Sequence, residues 1–140
     1  MTASATTFAG RTALALIFVL SGAGKLAAYA GTQQYMESVG VPGALLPLVI
    51  LAELGGGLAL VAGLLTRTTA TALALFSVVA AALFHADFAD QNQMIHFLKN
   101  IAMAGGLLVL AAHGAGRFSL DALLARRATR NATTFAGAAR

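Results

Sequence analysis

Residues 43–65 read GALLPLVILAELGGGLALVAGLL, an apolar run interrupted by one charged residue, Glu53. Three further apolar stretches lie at about residues 12–30, 69–84 and 95–113. Each is close to the ~20 residues that a helix needs to cross ~30 Å of hydrocarbon. Backbone polar groups must be paired inside lipid, and none of the stretches shows the alternating pattern of a barrel strand. Each stretch is therefore predicted to be a transmembrane helix.

The composition agrees with a membrane protein. Hydrophobic residues make up 59% of the 140 residues and charged residues only 10%, whereas soluble domains carry roughly 25% charged residues. The sequence has no cysteine, which excludes disulfides, thiolate metal sites, iron–sulfur clusters and covalent c-type haem. The net charge of +4 is not arranged as a basic run with interleaved aromatic residues. Nucleic acid is therefore not an expected partner, and the lipid bilayer is.

The connections between the apolar stretches are short and polar, at residues 31–42, 65–68 and 86–94. Loops of this length make successive helices antiparallel neighbours. The predicted fold is all-α: an integral membrane antiparallel four-helix bundle over residues 1–125. A basic tail, residues 126–140, follows and is predicted to be disordered.

Positive charges indicate the orientation of the bundle. The connections at 31–42 and 86–94 hold three acidic residues and neither lysine nor arginine. The arginines lie before the first stretch, between the second and third, or after the fourth: Arg11, Arg67, Arg117, Arg126, Arg127, Arg130 and Arg140. Both termini are therefore predicted to be cytoplasmic. A cleaved signal peptide ending at Ala28-Tyr29-Ala30 is disfavoured, because Lys25 interrupts the approach and three more spans follow.

Three charged residues lie inside the predicted helices: Lys25, Glu53 and Lys99. A charge at the bilayer centre costs ~2.5–3.5 kcal/mol, so such residues face the bundle interior and pair. At a rise of ~1.5 Å per residue, Lys25 lies ~7 Å and Glu53 ~13 Å below the outer end of the bundle. Cβ atoms tilt toward the N-terminus of a helix, so these two side chains lean toward each other while Lys99 leans outward. A Lys25–Glu53 ion pair is predicted.

Further polar residues belong to the same outer half. His96, Lys99, Asn100 and Met103 share one helix face, and His85 ends the preceding helix. The sequence thus predicts an outward-facing polar cavity with these ligand-binding or proton-handling candidates: Lys25, Glu53, His85, His96, Lys99 and Asn100. A purely structural ion pair that pins two helices is an equal alternative. The histidines are expected to be interfacial, no metal is predicted, and catalytic residues stay unassigned because no nucleophile has a base beside it.

The ordered pattern of these residues resembles the DoxX family of small bacterial membrane proteins, over about residues 11–125. The residues that carry the resemblance are Arg11, Gly22-Ala23-Gly24-Lys25-Leu26, Gly40-Val41-Pro42, Glu53, Gly56-Gly57, Gly63-Leu64-Leu65-Thr66-Arg67, His85, Lys99-Asn100 and Gly114-Ala115-Gly116-Arg117-Phe118-Ser119-Leu120-Asp121. The resemblance implies a four-helix protein of the bacterial inner (cytoplasmic) membrane. It also implies an association with oxidoreductase complexes, since the family is named for its likeness to subunits of a thiosulfate–quinone oxidoreductase.

The leading functional hypothesis is an accessory subunit of a membrane redox system whose cavity binds a quinone or another small molecule. Lys25 and Lys99 would donate hydrogen bonds to ring oxygens, Glu53 would handle a proton, and His85 would relay it. Two alternatives stay open: a non-catalytic interaction or assembly protein, and a small-solute transporter. Expected partners are the bilayer, a redox protein and further copies of the chain. No covalent cofactor is expected, and whether the chain is itself an enzyme is left undecided.

Overall fold

The computed structural model describes the backbone of residues 3–138 and the side chains of residues 3–131. This part of the chain is helical: α1 (Ala3–Ala27), α2 (Tyr29–Ser38), α3 (Gly43–Ala62), α4 (Thr66–Phe84), α5 (Gln91–His113) and α6 (Leu120–Ala138). Helices α1, α3, α4 and α5 are long and apolar enough to cross a membrane. The predicted all-α bundle of four membrane-spanning helices is confirmed.

The four spans form two closely packed pairs, α1 with α3 and α4 with α5, and the pairs are joined where α3 meets α4. Small residues bring α1 and α3 together. A Cβ on Gly22 would lie 2.8 Å from the backbone nitrogen of Leu54, and one on Gly57 would lie 3.0 Å from that of Val19. Association of helices in lipid depends on such close backbone approach. The contact places the second half of α1 directly against the middle of α3.

Helix α3 is not regular along its length. It opens with a 3₁₀ turn over Gly43–Leu45, continues as α-helix and then passes through one π-helical turn, Leu51–Gly55, before returning to α-helix at Gly56. A single π turn inserts one extra residue into the helix and is common at functional sites. Glu53 lies in this turn, and glycine follows at positions 55–57. Because glycine has little preference for α-helix, the sequence offers weak resistance to the irregularity.

The connection at residues 31–42 differs from the sequence-based prediction. It was expected to be a loop, but most of it forms helix α2, Tyr29–Ser38. The loop prediction is wrong because it considered only the polar, turn-forming residue types of the segment. One apolar residue, Met36, is buried against Leu46 and Ile50 of α3. This tertiary contact stabilises a helix that local sequence does not suggest.

Helix α6 covers most of the segment that was predicted to be a disordered tail. The backbone is helical from Leu120 to Ala138, and residues 139 and 140 lie outside the described residues. Alanine, leucine and arginine, which are strong helix formers, make up much of this segment, and it contains no proline. Helical propensity therefore accounts for the difference.

The end of the bundle near the termini is held by Arg11, a structural role that its position in the sequence did not indicate. Its side chain is 1% exposed. The guanidinium donates to the backbone carbonyls of Val61 at 3.2 Å, Ala115 at 3.1 Å and Phe118 at 2.9 Å. Gly63, with φ of +68°, lies so close to Arg11 that a side chain there would collide with it. One arginine thus ties α1 to the end of α3 and to the segment after α5.

Asp121 completes this tie from the start of α6. Its carboxylate accepts hydrogen bonds from the backbone nitrogens of Leu65 at 2.7 Å and Thr66 at 2.9 Å, which begin α4. Desolvation by burial, the largest influence, raises the pKa of Asp121, but hydrogen bonds from Thr66 and Leu65 and the charge of Arg11 outweigh it. The pKa of Asp121 therefore lies below its ordinary value.

Candidate functional site

Lys25 and Glu53 form an ion pair between α1 and α3, as their side-chain directions predicted. The Nζ atom of Lys25 lies 2.8 Å from Oε2 and 3.0 Å from Oε1 of Glu53. It also donates to the hydroxyl oxygen of Ser21 at 2.7 Å, and that hydroxyl donates to Oε1 of Glu53 at 3.3 Å. The ammonium group of lysine has three protons, and two of them have hydrogen-bond acceptors here, Ser21 and Oε1 of Glu53, while Oε2 of Glu53 is an ion-pair contact. We call Ser21, Lys25 and Glu53 the polar cluster.

The two helices supply the cluster in different ways. Ser21 and Lys25 are four residues apart and therefore lie one above the other on α1. Glu53 reaches them from the π turn, next to the point where Gly22 lets the backbone of Leu54 approach. The carboxylate is the inner member of the pair, because the side chain of Glu53 is 8% exposed whereas that of Lys25 is 27% exposed. The amine therefore presents the accessible side of the cluster.

The polar cluster carries no net charge, because one ammonium faces one carboxylate. In a low-dielectric interior the attraction within such a pair is offset by the cost of removing both charges from water. The loss of one partner is different, since it leaves the other charge buried and uncompensated. A change at either residue is thus expected to disturb the fold more than a change at both.

A cavity of about 740 Å³ lies beside the cluster, at the end of the bundle away from the termini. Five helices contribute to its wall, and most of the lining side chains are apolar. The lining residues are Ile17, Phe18, Ser21, Lys25, Ala28, Gly31, Thr32, Tyr35, Met36, Val41, Leu45, Val49, Glu53, Phe76, Val79, Ala80, Leu83, Phe84, His85, His96, Asn100 and Met103. A cavity therefore lies where the polar residues were expected to gather, but it is not the polar cavity that was predicted: the polar cluster lies on one side and apolar side chains surround most of the rest.

His85 and His96 form a second polar group on the cavity wall. Their rings stack with centroids 5.1 Å apart. Nδ1 of His85 lies 2.8 Å from Oε1 of Gln93, and because an amide oxygen only accepts, this nitrogen carries the proton. Asn100 lies one turn beyond His96 and donates to its backbone carbonyl at 3.0 Å. These residues face the space from the α4–α5 side of the bundle.

The structure separates Lys99 from the other predicted site residues. Lys99 is exposed and lies outside the cavity lining, whereas Lys25, Glu53, His85, His96 and Asn100 all line it. His96, Asn100 and Met103 form the stripe of α5 that lines the cavity, and Lys99, three residues after His96, lies about 60° to one side of His96, at the edge of the face that was expected to include it. The outward lean that was predicted for the Lys99 side chain agrees with this position.

Several residues of the site were not found from the sequence. Gln93 lies in the segment that was predicted to be a polar loop, eight residues after His85. In the structure its side-chain oxygen contacts the ring of His85. Tyr35 of α2 stacks on Phe84 with centroids 5.8 Å apart and extends the cavity wall. The contribution of α2 could not be anticipated because that helix itself was not predicted.

These features define a class of protein: a small membrane bundle of four spans with a neutral polar cluster beside a largely apolar cavity. The sequence model of the family DoxX matches residues 6–86. The chain is 50% identical over 117 residues to the inner membrane protein YqjF of Escherichia coli K12, covering 84% of this chain and 90% of YqjF. It is 35% identical over 119 residues to the inner membrane protein YphA of the same organism, covering 79% and 84% of the two chains. No solved structure matches the chain significantly.

The chain therefore belongs to the DoxX family, as the ordered residues of its sequence indicated. It is a multi-pass protein of the inner membrane, since both relatives are inner membrane proteins and four of its helices can span a bilayer.

Proposed function

We propose that this DoxX family member binds a quinone head group, or a neutral molecule of similar shape, and serves as the accessory subunit of a membrane redox system. The observation that carries the proposal is the polar cluster at the edge of a cavity of about 740 Å³ with mainly apolar walls. Small-molecule sites typically have ~300–1,000 Å³ and a few polar groups among apolar ones. With both termini in the cytoplasm, as the arginines predict, the cavity lies toward the outer leaflet.

A quinone ring suits this combination of groups. Its faces are apolar and its two carbonyl oxygens accept hydrogen bonds. Lys25 would turn one N–H from the Ser21 hydroxyl, 2.7 Å away, to a ring oxygen while keeping both contacts to Glu53. His96 lines the opposite part of the cavity and would donate to the other ring oxygen. Because Lys25 stays paired with Glu53, binding would leave no uncompensated charge.

A proton-handling role belongs to the same proposal. Glu53 is the buried carboxylate beside the ring position, and its Oε1 accepts from Ser21 and Lys25. His85 donates through Nδ1 to Gln93, so its Nε2 is the nitrogen left to accept a proton. Electrons would come from a partner protein, for which the chain would hold the quinone in place.

Binding of a short-chain quinone to the purified protein tests this directly. The protein is placed in quinone-free nanodiscs and titrated with a radiolabelled quinone that carries one isoprenoid unit. Replacement of Lys25 by Met removes a hydrogen bond from a charged donor, worth ~1.5–3 kcal/mol, so affinity should fall by about tenfold or more. Glu53→Gln should also weaken binding, because the lysine then loses its counterion.

Two further variants control for nonspecific effects. Lys99→Met makes the same chemical change on the same kind of helix but outside the cavity, and its affinity should stay within about twofold of the unmodified protein. Ala80→Phe adds bulk to the cavity wall on α4, whereas the polar cluster lies on α1 and α3, and should abolish binding. Full affinity in Lys25→Met, Glu53→Gln and Ala80→Phe, in protein that inserts and is folded under the conditions of the titration, would show that the cavity is not a quinone site.

A second candidate is a non-catalytic interaction protein, in which the polar cluster only pins α1 to α3. The observation in its favour is that the Lys25 ammonium is already engaged within the protein, by hydrogen bonds to Ser21 and Glu53 and by the ion pair with Glu53. The exchanged variant Lys25→Glu/Glu53→Lys separates the two candidates. A structural pin should regain the thermal stability and cellular function that each single reversal loses, whereas a quinone site should regain stability without binding.

Transport of a small solute has less support from the geometry. Below the cavity, the packed side chains of Leu60, Leu73 and Leu107 fill the described part of the bundle. A solute would have to pass through this core to cross the membrane. Liposomes that contain the protein should therefore show no flux of a small polar solute above that of empty liposomes.

A further inference from the structure

Helix α2 covers the end of the bundle where the cavity lies. The side-chain nitrogen of Gln33 donates to the backbone carbonyl of Gly43 at 3.3 Å, which holds α2 to the start of α3. The ring of Tyr35 stacks on Phe84, which holds it to the end of α4. Met36 is buried against α3. The route into the cavity along the bundle axis is therefore obstructed on the α3 and α4 sides.

The opposite side of the cavity lies between α1 and α5, which are neighbouring spans that pack little on each other. Near the termini these helices meet, and Leu14 lies 3.2 Å from the position of a Cβ on Gly106. Beyond that contact both helices contribute lining residues at matching heights: Ile17, Ser21 and Lys25 from α1, and Met103, Asn100 and His96 from α5. We call this the α1–α5 seam.

Exposure indicates that the seam is open at the level of the hydrocarbon. Ile17 lines the cavity and is nevertheless 47% exposed. It lies fourteen residues into α1, near the middle of that span. The next exposed residues on either side of the seam, Leu20 and Ile101, are apolar and suited to contact with lipid chains. An opening bordered by such residues admits molecules dissolved in the bilayer.

We infer that the cavity is loaded from the bilayer through the α1–α5 seam, and that its ligands are neutral amphipaths with an apolar chain. This inference rests on the proposed function, since it names the ligand class and entry route of the same site. A neutral head is required because the polar cluster is already charge-balanced, and an added charge among apolar walls would be costly. An apolar chain is accommodated because it can leave through the seam into lipid while the head occupies the cavity.

Cysteine labelling tests the route without any ligand, since the natural chain has no cysteine. Ala80→Cys places a thiol on the cavity wall of α4, and Ala89→Cys places one in the exposed turn between α4 and α5. Each variant, in vesicles, is treated with pyrene maleimide, which dissolves in lipid, and with a sulfonated maleimide, which does not. The measured quantity is the labelling rate with the pyrene reagent divided by the rate with the sulfonated reagent. This ratio should be about 100-fold greater at Ala80→Cys than at Ala89→Cys, because a charged reagent is excluded from hydrocarbon.

A pair of tryptophan variants then locates the entry. Ile17→Trp adds bulk in the seam and should slow pyrene labelling of Ala80→Cys by about tenfold. Leu16→Trp adds the same bulk to a lipid-facing position of α1 outside the cavity lining, where Leu16 is 49% exposed, and should leave the rate within about twofold. Equal reagent preference at Ala80→Cys and Ala89→Cys would overturn the inference. So would equal labelling rates in the two tryptophan variants. Val79→Cys, on the same wall, replaces Ala80→Cys if that variant does not fold.

The labelling experiment tests the entry route and the quinone titration tests the proposed function, so either can give a negative result without the other. If the seam controls labelling but no quinone binds, the entry route stands and the proposed quinone function is wrong. If quinone binds normally while the sulfonated maleimide reaches the cavity as readily as the pyrene reagent, the function stands and the entry route is wrong. The ligand class is checked with a quinone that bears a ten-carbon chain and an equivalent with a terminal sulfonate: only the neutral one should bind.

Discussion

Removal of Lys25 alone should destabilise the bundle more than removal of Lys25 and Glu53 together. In Lys25→Met, the Glu53 carboxylate stays 6% exposed and keeps only the hydrogen bond from Ser21. Breaking one side of a buried ion pair typically costs ~3–5 kcal/mol, because the remaining charge is uncompensated. In the double variant Lys25→Met/Glu53→Gln no charge remains, and Ser21 still has an amide oxygen to donate to. We expect this variant to lie within ~1–2 kcal/mol of the unmodified protein.

The assay is reversible unfolding of the protein in bicelles with increasing sodium dodecyl sulfate, followed by circular dichroism. The two single variants and the double variant form a cycle, so that the coupling between residues 25 and 53 is the departure from additivity. We expect a coupling of ~2 kcal/mol or more in the direction that favours the double variant. Additive losses, or single variants that lose less than ~0.5 kcal/mol, would refute the account of a buried, internally neutral cluster.

Three other changes probe the end of the bundle near the termini. Arg11→Met removes the donor to three backbone carbonyls, and the free energy of unfolding should fall by ~3–5 kcal/mol. The control Arg117→Met, at an exposed position, should change the free energy of unfolding by ~0.5 kcal/mol or less. Gly63→Ala places a Cβ against Arg11 in a residue whose φ is positive. It should lower the free energy of unfolding by at least ~1 kcal/mol, the typical cost of a left-handed backbone conformation in a residue other than glycine. Because the pKa of Asp121 is lowered on folding, its stabilising contribution is complete above the unfolded value of about 3.9 and is lost as pH falls below it. The free energy of unfolding, measured between about pH 5 and pH 2, should show this loss, and the loss should be smaller in Asp121→Asn. An equal pH dependence of the two proteins would contradict the hydrogen bonds assigned to Asp121.

The spans and the ion pair were predictable because they depend on few rules. An apolar run of about twenty residues has one stable arrangement in lipid. Lys25 and Glu53 could be paired because depth follows from helical rise and side-chain direction follows from helix polarity. The same reasoning predicts that the Lys99 side chain leans outward, which agrees with its position outside the cavity lining and argues against its place among the binding candidates.

The remaining features depend on contacts that residue types do not reveal. Arg11 is buried by donating to backbone carbonyls of residues 61, 115 and 118, and every residue has a carbonyl, so no pattern identifies the partners. Helix α2 depends on the burial of Met36 against α3. The π turn at Glu53 lies in a glycine-rich stretch that is compatible with either helix type. Local sequence predicts propensity, and these three features are decided by tertiary packing.

Photoaffinity labelling in native membrane vesicles tests the central claim, that the cavity beside the Lys25–Glu53 pair holds a quinone. An azido-quinone is activated by light, and the modified residues are identified by mass spectrometry. The account predicts modification at the cavity residues Ile17, Tyr35 and Met103, suppressed by excess unlabelled quinone and absent in Ala80→Phe. Modification confined to lipid-facing residues such as Leu75 and Leu108, unchanged by competitor or by Ala80→Phe, would contradict it.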